Sequence, residues 1–123
     1  MKIPPINQPI VFTGYKSKLK SLFKSGQLPT VKYGFYGDEL TIDNCSVEHL
    51  EPHSKGGKTI EENLVLASKE KNRLRGNSHL KDFINKKAAA KYFSQFVDVV
   101  VGDFHGNRYI KSALKTINKL LNS

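Results

Sequence analysis

The fold of this chain is decided by the stretch Glu48-His49-Leu50-Glu51-Pro52-His53-Ser54-Lys55-Gly56-Gly57, with Asn63-Leu64-Val65-Leu66 and Asn72-Arg73-Leu74-Arg75-Gly76 behind it. It joins a histidine beside a carboxylate, a loop rich in proline and glycine, a short apolar run, and a basic segment that carries an asparagine. A neutral histidine can remove a proton from water near pH 7. Carboxylate and amide oxygens are the ligands that Mg²⁺ prefers. Together these residue types suit a metal-assisted attack on a phosphodiester.

Local patterns in this stretch predict a strand, a loop, a second strand and a helix. Residues 46–50 alternate between apolar and polar side chains, which is typical of a strand. Residues 51–62 contain a proline and paired glycines and are expected to form a loop, in which both glycines supply positive φ. Residues 64–66 form a short buried strand, and Ser68 is suited to cap a helix that ends near Gly76.

The order and spacing of these residues resemble the HNH endonucleases. The motif of that family reads roughly Asp-His-x-x-Pro-x-Ser-x-Gly-Gly, then Asn-Leu, then His or Asn with Lys or Arg and Gly behind it. The resemblance covers residues 48–76 of the 123. It implies an α+β fold in which a ββα-metal (HNH) core carries additional N- and C-terminal helices.

The chain is expected to form a single domain of 123 residues. Residues 1–32 would be an N-terminal arm and helix, 33–78 the HNH core, and 79–123 a C-terminal helical extension. The flanking patterns predict further elements, which are a strand at 10–12, a helix at 15–25, a strand at 40–42, helical spacing from 80 to 92, a strand or helix end at 97–101, and an amphipathic helix at 109–121.

The resemblance implies that His49 is the general base and that Asn63 supports it by holding the loop. Neighbouring residues of a strand point to opposite faces, so Glu48 and His49 can share a site only if the strand ends or bends there. The alternative for His49 is a structural histidine bonded to the loop backbone. For Asn63 the functional and structural interpretations nearly coincide.

The expected metal ligands are Glu48 and Asn72. Glu48 stands where the family usually has aspartate and adds one methylene. Asn72 occupies the final motif position, and its interval from His49 resembles that in the HNH domain of CRISPR effector nucleases. This makes the chain a His-Asn-Asn variant. Oxygen ligands favour one divalent cation, Mg²⁺ or Mn²⁺, over zinc. The alternatives are a surface carboxylate and a helix-surface asparagine.

Three basic residues are expected to bind the nucleic acid. Arg73 and Arg75 follow Asn72 and are suited to phosphate contacts, and Lys55 lies in the loop. His53 in the same loop is a further candidate for contact with a phosphate. The alternative for the two loop residues is simple exposure to solvent.

A structural zinc is not expected. Many HNH proteins hold one with two Cys-x-x-Cys pairs, and the corresponding positions here are Tyr33, Tyr36, Ser68 and Lys71. The single cysteine, Cys45, cannot build a site of four thiolates. Aromatic side chains are expected to fill that space as a small apolar cluster.

Composition points to a polyanionic partner, with simple solubility as the alternative, and the resemblance implies that this partner is DNA. The formal net charge of +9 and a pI near 9.7 favour a polyanion. No apolar run reaches membrane-spanning length, residues 1–5 do not resemble a signal peptide, and a single cysteine fits a reducing compartment. The expected location is the cytoplasm of a bacterial or phage-infected cell, without membrane association, and the sequence does not identify a protein partner.

The resemblance implies a metal-dependent DNA endonuclease that leaves 5′-phosphate and 3′-hydroxyl ends, of the kind found in phages and mobile elements. One site cuts one strand, so a monomer or weak homodimer is expected to act as a nickase. Two alternatives stay open. One is a degenerate HNH module that binds DNA or a partner protein without cleavage, and the other is a basic RNA- or ribosome-binding protein.

Overall fold

The computed structural model of the protein describes residues 14–122. Its fold is of the α+β class, as expected, with short sheets among helices. The strand predicted at 10–12 lies outside the described residues. The elements are α1 (Gly14–Lys24), β1 (Cys45–His49), β2 (Leu64–Ser68), α2 (Lys69–Arg75), α3 (Leu80–Phe83), α4 (Lys86–Ser94), β3 (Val100–Val101), β4 (Phe104–His105) and α5 (Gly106–Leu121).

The β1–β2 hairpin is the centre of the fold. The two strands pair antiparallel, with Cys45 opposite Ser68 and His49 opposite Leu64. Every residue of β2 is buried, which is why its sequence reads as a continuous apolar run instead of an alternating one. Two single 3₁₀ turns, at His53–Lys55 and Glu61–Asn63, shape the connection between the strands.

The free edge of β2 is covered by side chains and a turn instead of a third strand. The hydroxyl of Tyr92 accepts a hydrogen bond from the Leu66 amide at 2.9 Å, and the hydroxyl of Tyr109 donates to the Leu64 carbonyl at 2.7 Å. The Leu66 carbonyl accepts from the Phe35 amide at 2.9 Å. Backbone groups that would otherwise be buried without partners are thereby satisfied.

An aromatic cluster joins the C-terminal helices to the hairpin. Its rings meet edge-on or tilted, with centroids between 4.9 and 6.2 Å apart, which are favourable aromatic geometries. The cluster consists of Phe35, Tyr36, Phe83, Tyr92, Phe93, Phe96, Phe104 and Tyr109. It anchors the C-terminal segment to the part of the chain that carries the motif.

Helix α2 begins where the sequence predicts. Ser68 accepts a hydrogen bond from the Lys71 amide at 3.1 Å and donates one to Asp38 at 2.7 Å. The first contact is an N-cap, which satisfies one of the unpaired amides of the first turn. The helix ends at Arg75, and Gly76 follows with a φ of 51°.

The strand predicted at residues 40–42 is wrong. Ile42 lies in a turn with 63% of its surface exposed. The Asn44 side chain closes this turn by accepting from the Thr41 amide at 2.8 Å. Such local bonding by asparagine competes with strand pairing.

The C-terminal segment differs in detail from the expected run of helices. The spacing from 80 to 92 belongs to two helices, because Asn85 starts α4 by accepting from the Ala88 amide at 3.0 Å. Between α4 and α5, β3 pairs with β4 in a small hairpin. The segment 97–101 therefore contributes a strand only at its end.

Candidate functional site

His49 stands at the end of β1, where the connecting loop (residues 50–63) folds back over it. The ring is half-buried, and its Nε2 lies 2.9 Å from the Thr59 hydroxyl. The ring of His53 lies 6.1 Å away, centroid to centroid. Thr59 is a contact that motif reasoning missed, since nothing in the spacing connects it to the histidine.

Asn63 ties the loop together with three hydrogen bonds. Its Oδ1 accepts from the Glu51 amide at 2.9 Å, and its Nδ2 donates to the Glu51 and Lys58 carbonyls at 3.1 and 2.8 Å. The residue is only 5% exposed. These bonds agree with the supporting role predicted for Asn63, because both ends of the loop depend on one side chain.

The paired glycines of the loop serve different purposes. Gly56 has a φ of 94°, which L-residues rarely adopt. Gly57 has no positive φ, but a Cβ there would lie 1.8 Å from the Glu51 carbonyl oxygen. The prediction of positive φ is therefore confirmed for Gly56 and wrong for Gly57, where the close approach of the backbone requires glycine.

Asn72 projects from α2 onto the free edge of β1. Its Nδ2 donates to the Val47 carbonyl at 3.0 Å and to the Ser46 hydroxyl at 3.2 Å. Because the carbonyl can only accept, the amide nitrogen must face the strand and Oδ1 must face away from it. Within residues 14–122, no hydrogen bond ends on this oxygen. Oδ1 is therefore suited to bind a cation.

Glu48 is buried, with 7% of its surface exposed. Its Oε2 accepts from the Tyr36 hydroxyl at 2.8 Å and from Arg75 Nη1 at 3.3 Å. Burial raises the pKa of the Glu48 carboxyl, while the Tyr36 hydroxyl and the Arg75 guanidinium oppose that rise. Burial, followed by the neighbouring Glu48 charge, raises the pKa of the Tyr36 phenol. The carboxylate thus belongs to an internal network.

The position of Arg75 contradicts the prediction that it contacts DNA. Its side chain is 0% exposed, and it donates to the His49 and Leu50 carbonyls, each at 2.7 Å, and to the Ser78 carbonyl at 3.0 Å. A guanidinium enclosed in this way cannot reach a phosphate outside the protein. The expectation that Arg75 contacts DNA is therefore wrong, because the residue lies on the same inner face of α2 as Asn72.

The other basic residues of the prediction lie on the surface. Arg73, Lys55 and His53 are all exposed. Their positions are compatible with phosphate contacts. Arg73 and Arg75 therefore differ in burial although only one residue separates them on the same helix.

Further cations surround the loop. Lys55 and Lys81 line one groove beside it, and Lys58, Lys115 and Lys119 line a second groove, and the carboxylate of Glu51 borders both. Helix α5 carries no acidic residue, and its basic side chains, Arg108, Lys111, Lys115 and Lys119, are all exposed. Sequence reasoning placed the basic surface after the motif and missed this contribution from the last helix.

The turn at residues 33–37 contains the two tyrosines that the sequence comparison set against the first cysteine pair of HNH proteins. Phe35 and Tyr36 join the aromatic cluster, whereas the Tyr33 ring is covered by Lys91 Nζ at 4.0 Å from its centroid. The predicted apolar cluster thus includes Phe35 and Tyr36 of this turn but not Tyr33. The hydroxyl of Tyr36 has a separate purpose, since it donates to Glu48.

The metal prediction rests on an unusual donor set. Among residues 14–122, no three His, Cys, Asp or Glu side chains come together as a potential metal site. The predicted pair is one carboxylate, Glu48, and one amide, Asn72, on the adjacent β1 and α2. The oxygen donors suit Mg²⁺ or Mn²⁺ chemically, although Arg75 competes for the Glu48 carboxylate.

Comparisons of the chain with protein-family models, with curated proteins and with solved structures give no significant match. In residues 14–122, no helix combines the length and the apolar character needed to cross a membrane.

Proposed function

We propose that the protein is a metal-dependent DNA endonuclease of the HNH type, in which β1, β2 and α2 form a ββα-metal core. The observation that carries the proposal is the arrangement of two side chains around one hairpin. His49 stands at the end of β1 under the loop, and Asn72 on α2 turns its amide oxygen away from the same strand. We assign the role of general base to the first side chain and the role of a metal ligand to the second.

In the proposed reaction, His49 takes the proton from the attacking water. Thr59 holds the imidazole at 2.9 Å, and Asn63 keeps the loop that carries Thr59 closed. Asn72 and Glu48 would hold one Mg²⁺ or Mn²⁺. When bound, such a cation neutralises the charge that develops on the phosphate and the leaving oxygen.

The substrate is bound by cations outside this centre. Exposed Arg73 and Lys55 remain the proposed phosphate contacts, and the basic side chains of α5 extend the surface. Each phosphate contact releases counterions from DNA, so binding should weaken steeply with salt. A monomer with one site would nick one strand.

The test is incubation of supercoiled plasmid with the wild-type protein and with His49→Ala, each in Mg²⁺ and in EDTA. Wild type should convert the plasmid to open circle only with the metal, and His49→Ala should lose this activity. His105→Ala is the matched control, since His105 is exposed and lies on β4. Equal cutting by His49→Ala would contradict the proposed base.

A second candidate is a degenerate HNH module that binds DNA or a partner protein without cutting it. One observation favours it, because Tyr36 and Arg75 already bind the Glu48 carboxylate. Retardation of plasmid by wild type without nicking, in both Mg²⁺ and Mn²⁺, would favour this candidate over the nuclease.

A further inference from the structure

We propose that Arg75 is a positioning residue that holds the end of β1 on which His49 stands, and that Glu48 and Tyr36 hold Arg75 in turn. A role of Arg75 in catalysis rests on the proposed nuclease function. The positioning itself is a property of the fold and can be measured without any activity.

The contacts of the guanidinium account for its burial. An arginine side chain has five N–H donors in a planar fork. In Arg75, Nε donates to the Ser78 carbonyl and Nη2 to the Leu50 carbonyl, while Nη1 lies within hydrogen-bond distance of the His49 carbonyl, the Tyr36 hydroxyl and the Glu48 carboxylate. A charge removed from water is tolerated when it is paired and hydrogen-bonded. Arg75 is paired with Glu48, and each of its three nitrogens donates to at least one acceptor.

The two carbonyls at 2.7 Å belong to consecutive residues. In a regular strand, consecutive carbonyls point to opposite edges. The His49 and Leu50 carbonyls can reach one guanidinium only because the backbone leaves the extended conformation where β1 ends. Arg75 therefore bonds the bend itself, which is the feature that determines the direction of the His49 side chain.

The network also joins three segments that are distant in sequence. Tyr36 is in the turn at 33–37, Glu48 is in β1 and Arg75 is in α2. Tyr36 bonds to both of the others, at 2.8 Å to Glu48 Oε2 and at 3.2 Å to Arg75 Nη1. A lysine could supply the charge but not the two-pronged geometry, because an ammonium group is a single point of charge.

Arg73 provides a matched control, since it is also an arginine of α2 but is exposed. We compare Arg73→Met, Arg75→Met and Arg75→Lys with the wild-type protein. If Arg75 is a positioning residue, Arg75→Met lowers the melting temperature by about 10 °C or more, and Arg73→Met leaves it nearly unchanged. If Arg75 were a phosphate contact, both variants would reduce the salt dependence of DNA binding, by about one counterion each.

The decisive measurement is the ¹H–¹⁵N NMR spectrum of the imidazole rings in Arg75→Lys, which keeps the charge and is the variant more suited to remain folded. The signals of His49 should shift or broaden, and those of the exposed His105 on β4 should stay in place as an internal reference. Unchanged His49 signals in folded Arg75→Lys would overturn the proposal.

Kinetics adds a second test if the wild-type protein nicks plasmid. Arg75→Lys should lower kcat by about 10²-fold, the effect of a misplacement near 1 Å, with KM within about twofold of the wild-type value. A raised KM at unchanged kcat would overturn the positioning role. If wild type cuts no DNA, the nuclease proposal fails, and the NMR result alone decides whether Arg75 positions His49.

Discussion

Exchanging Asn63 for aspartate changes one NH₂ group to oxygen and leaves the shape of the side chain intact. In the wild-type protein, that nitrogen donates to the Glu51 and Lys58 carbonyls at 3.1 and 2.8 Å. In Asn63→Asp, both contacts become oxygen against oxygen. The bond from the Glu51 amide at 2.9 Å can persist, because the carboxylate still accepts.

The magnitude follows from these two contacts. Each lost bond costs about 1 kcal/mol, and carbonyls left without donors in a partly buried place add about 1–3 kcal/mol. The free energy of unfolding should therefore fall by about 3–5 kcal/mol. An unfolding entropy of about 2.1 cal/mol/K per residue, over 123 residues, makes 1 kcal/mol equal to about 4 °C. We expect the melting temperature to fall by about 12–20 °C.

The assay is thermal unfolding at neutral pH, followed by calorimetry or circular dichroism, with Asn118→Asp as the control. Asn118 is exposed on α5, so its exchange should change the free energy of unfolding by about 0.5 kcal/mol or less. A melting temperature for Asn63→Asp within about 2 °C of the wild-type value would refute the idea that Asn63 closes the loop. In acid, protonation of the introduced carboxylate should reduce the difference in melting temperature between Asn63→Asp and the wild-type protein.

Three further outcomes are expected. Burial raises the pKa of the Glu48 carboxyl above its usual 4.5. The contribution of Glu48 to the free energy of unfolding is therefore present below pH 4.5 and is lost as pH rises through the raised pKa. Urea unfolding between about pH 4 and 7 should accordingly show wild type losing stability relative to Glu48→Gln as pH rises, and no such trend would contradict the shift. Thr59→Val should lower the nicking rate about tenfold while Thr59→Ser keeps it, and equal rates would show that the hydroxyl does not orient His49. Tyr109→Phe removes the donor to the Leu64 carbonyl and should lower the free energy of unfolding by about 1–3 kcal/mol, whereas an unchanged value in chemical denaturation would mean that water replaces the hydroxyl.

Local signals in the sequence were sufficient for most of the elements that carry the motif. Ser68 caps α2 as predicted, since its side-chain bond spans only three residues. The prediction at residues 40–42 fails for a related reason. The apolar alternation there suggested pairing, but the bond from Asn44 to Thr41 forms a turn over the same short distance.

The site was harder to predict, because charge does not reveal burial. Arg73 and Arg75 were both assigned to DNA on their charge and position after the motif. Helical spacing contained a further signal, since residues three apart share a face and Arg75 therefore lies beside Asn72. What the sequence could not reveal is that this face packs on the edge of β1, where the carbonyls that accept from Arg75 end the strand.

Tyr36 is a second residue whose buried hydrogen-bond partner could not be predicted from the sequence. Its place in the turn at 33–37 suggested an aromatic filler for the space of a lost zinc, and its ring does pack against Phe83 with centroids 4.9 Å apart. Its hydroxyl, however, bonds to a carboxylate twelve residues away. A tyrosine at a buried position implies that its hydroxyl has a partner, but only the folded chain identifies that partner as Glu48.

The hydrogen bonds of the hairpin also indicate whether residues 33–78 could fold without the rest of the chain. Asn72 and Arg75 cover the free edge of β1 from within that range. On the free edge of β2, Phe35 bonds the Leu66 carbonyl from within it, but the Leu66 amide and the Leu64 carbonyl depend on Tyr92 and Tyr109, which lie beyond it. An isolated two-stranded hairpin is marginally stable at best, and an uncovered edge invites pairing with another chain. The residues of the proposed chemistry are thus confined to the motif, while β2, which begins directly after Asn63, is held by α4 and α5. The C-terminal segment is in this sense part of the site, because without it the hairpin that orients His49 and Asn72 would have an open side.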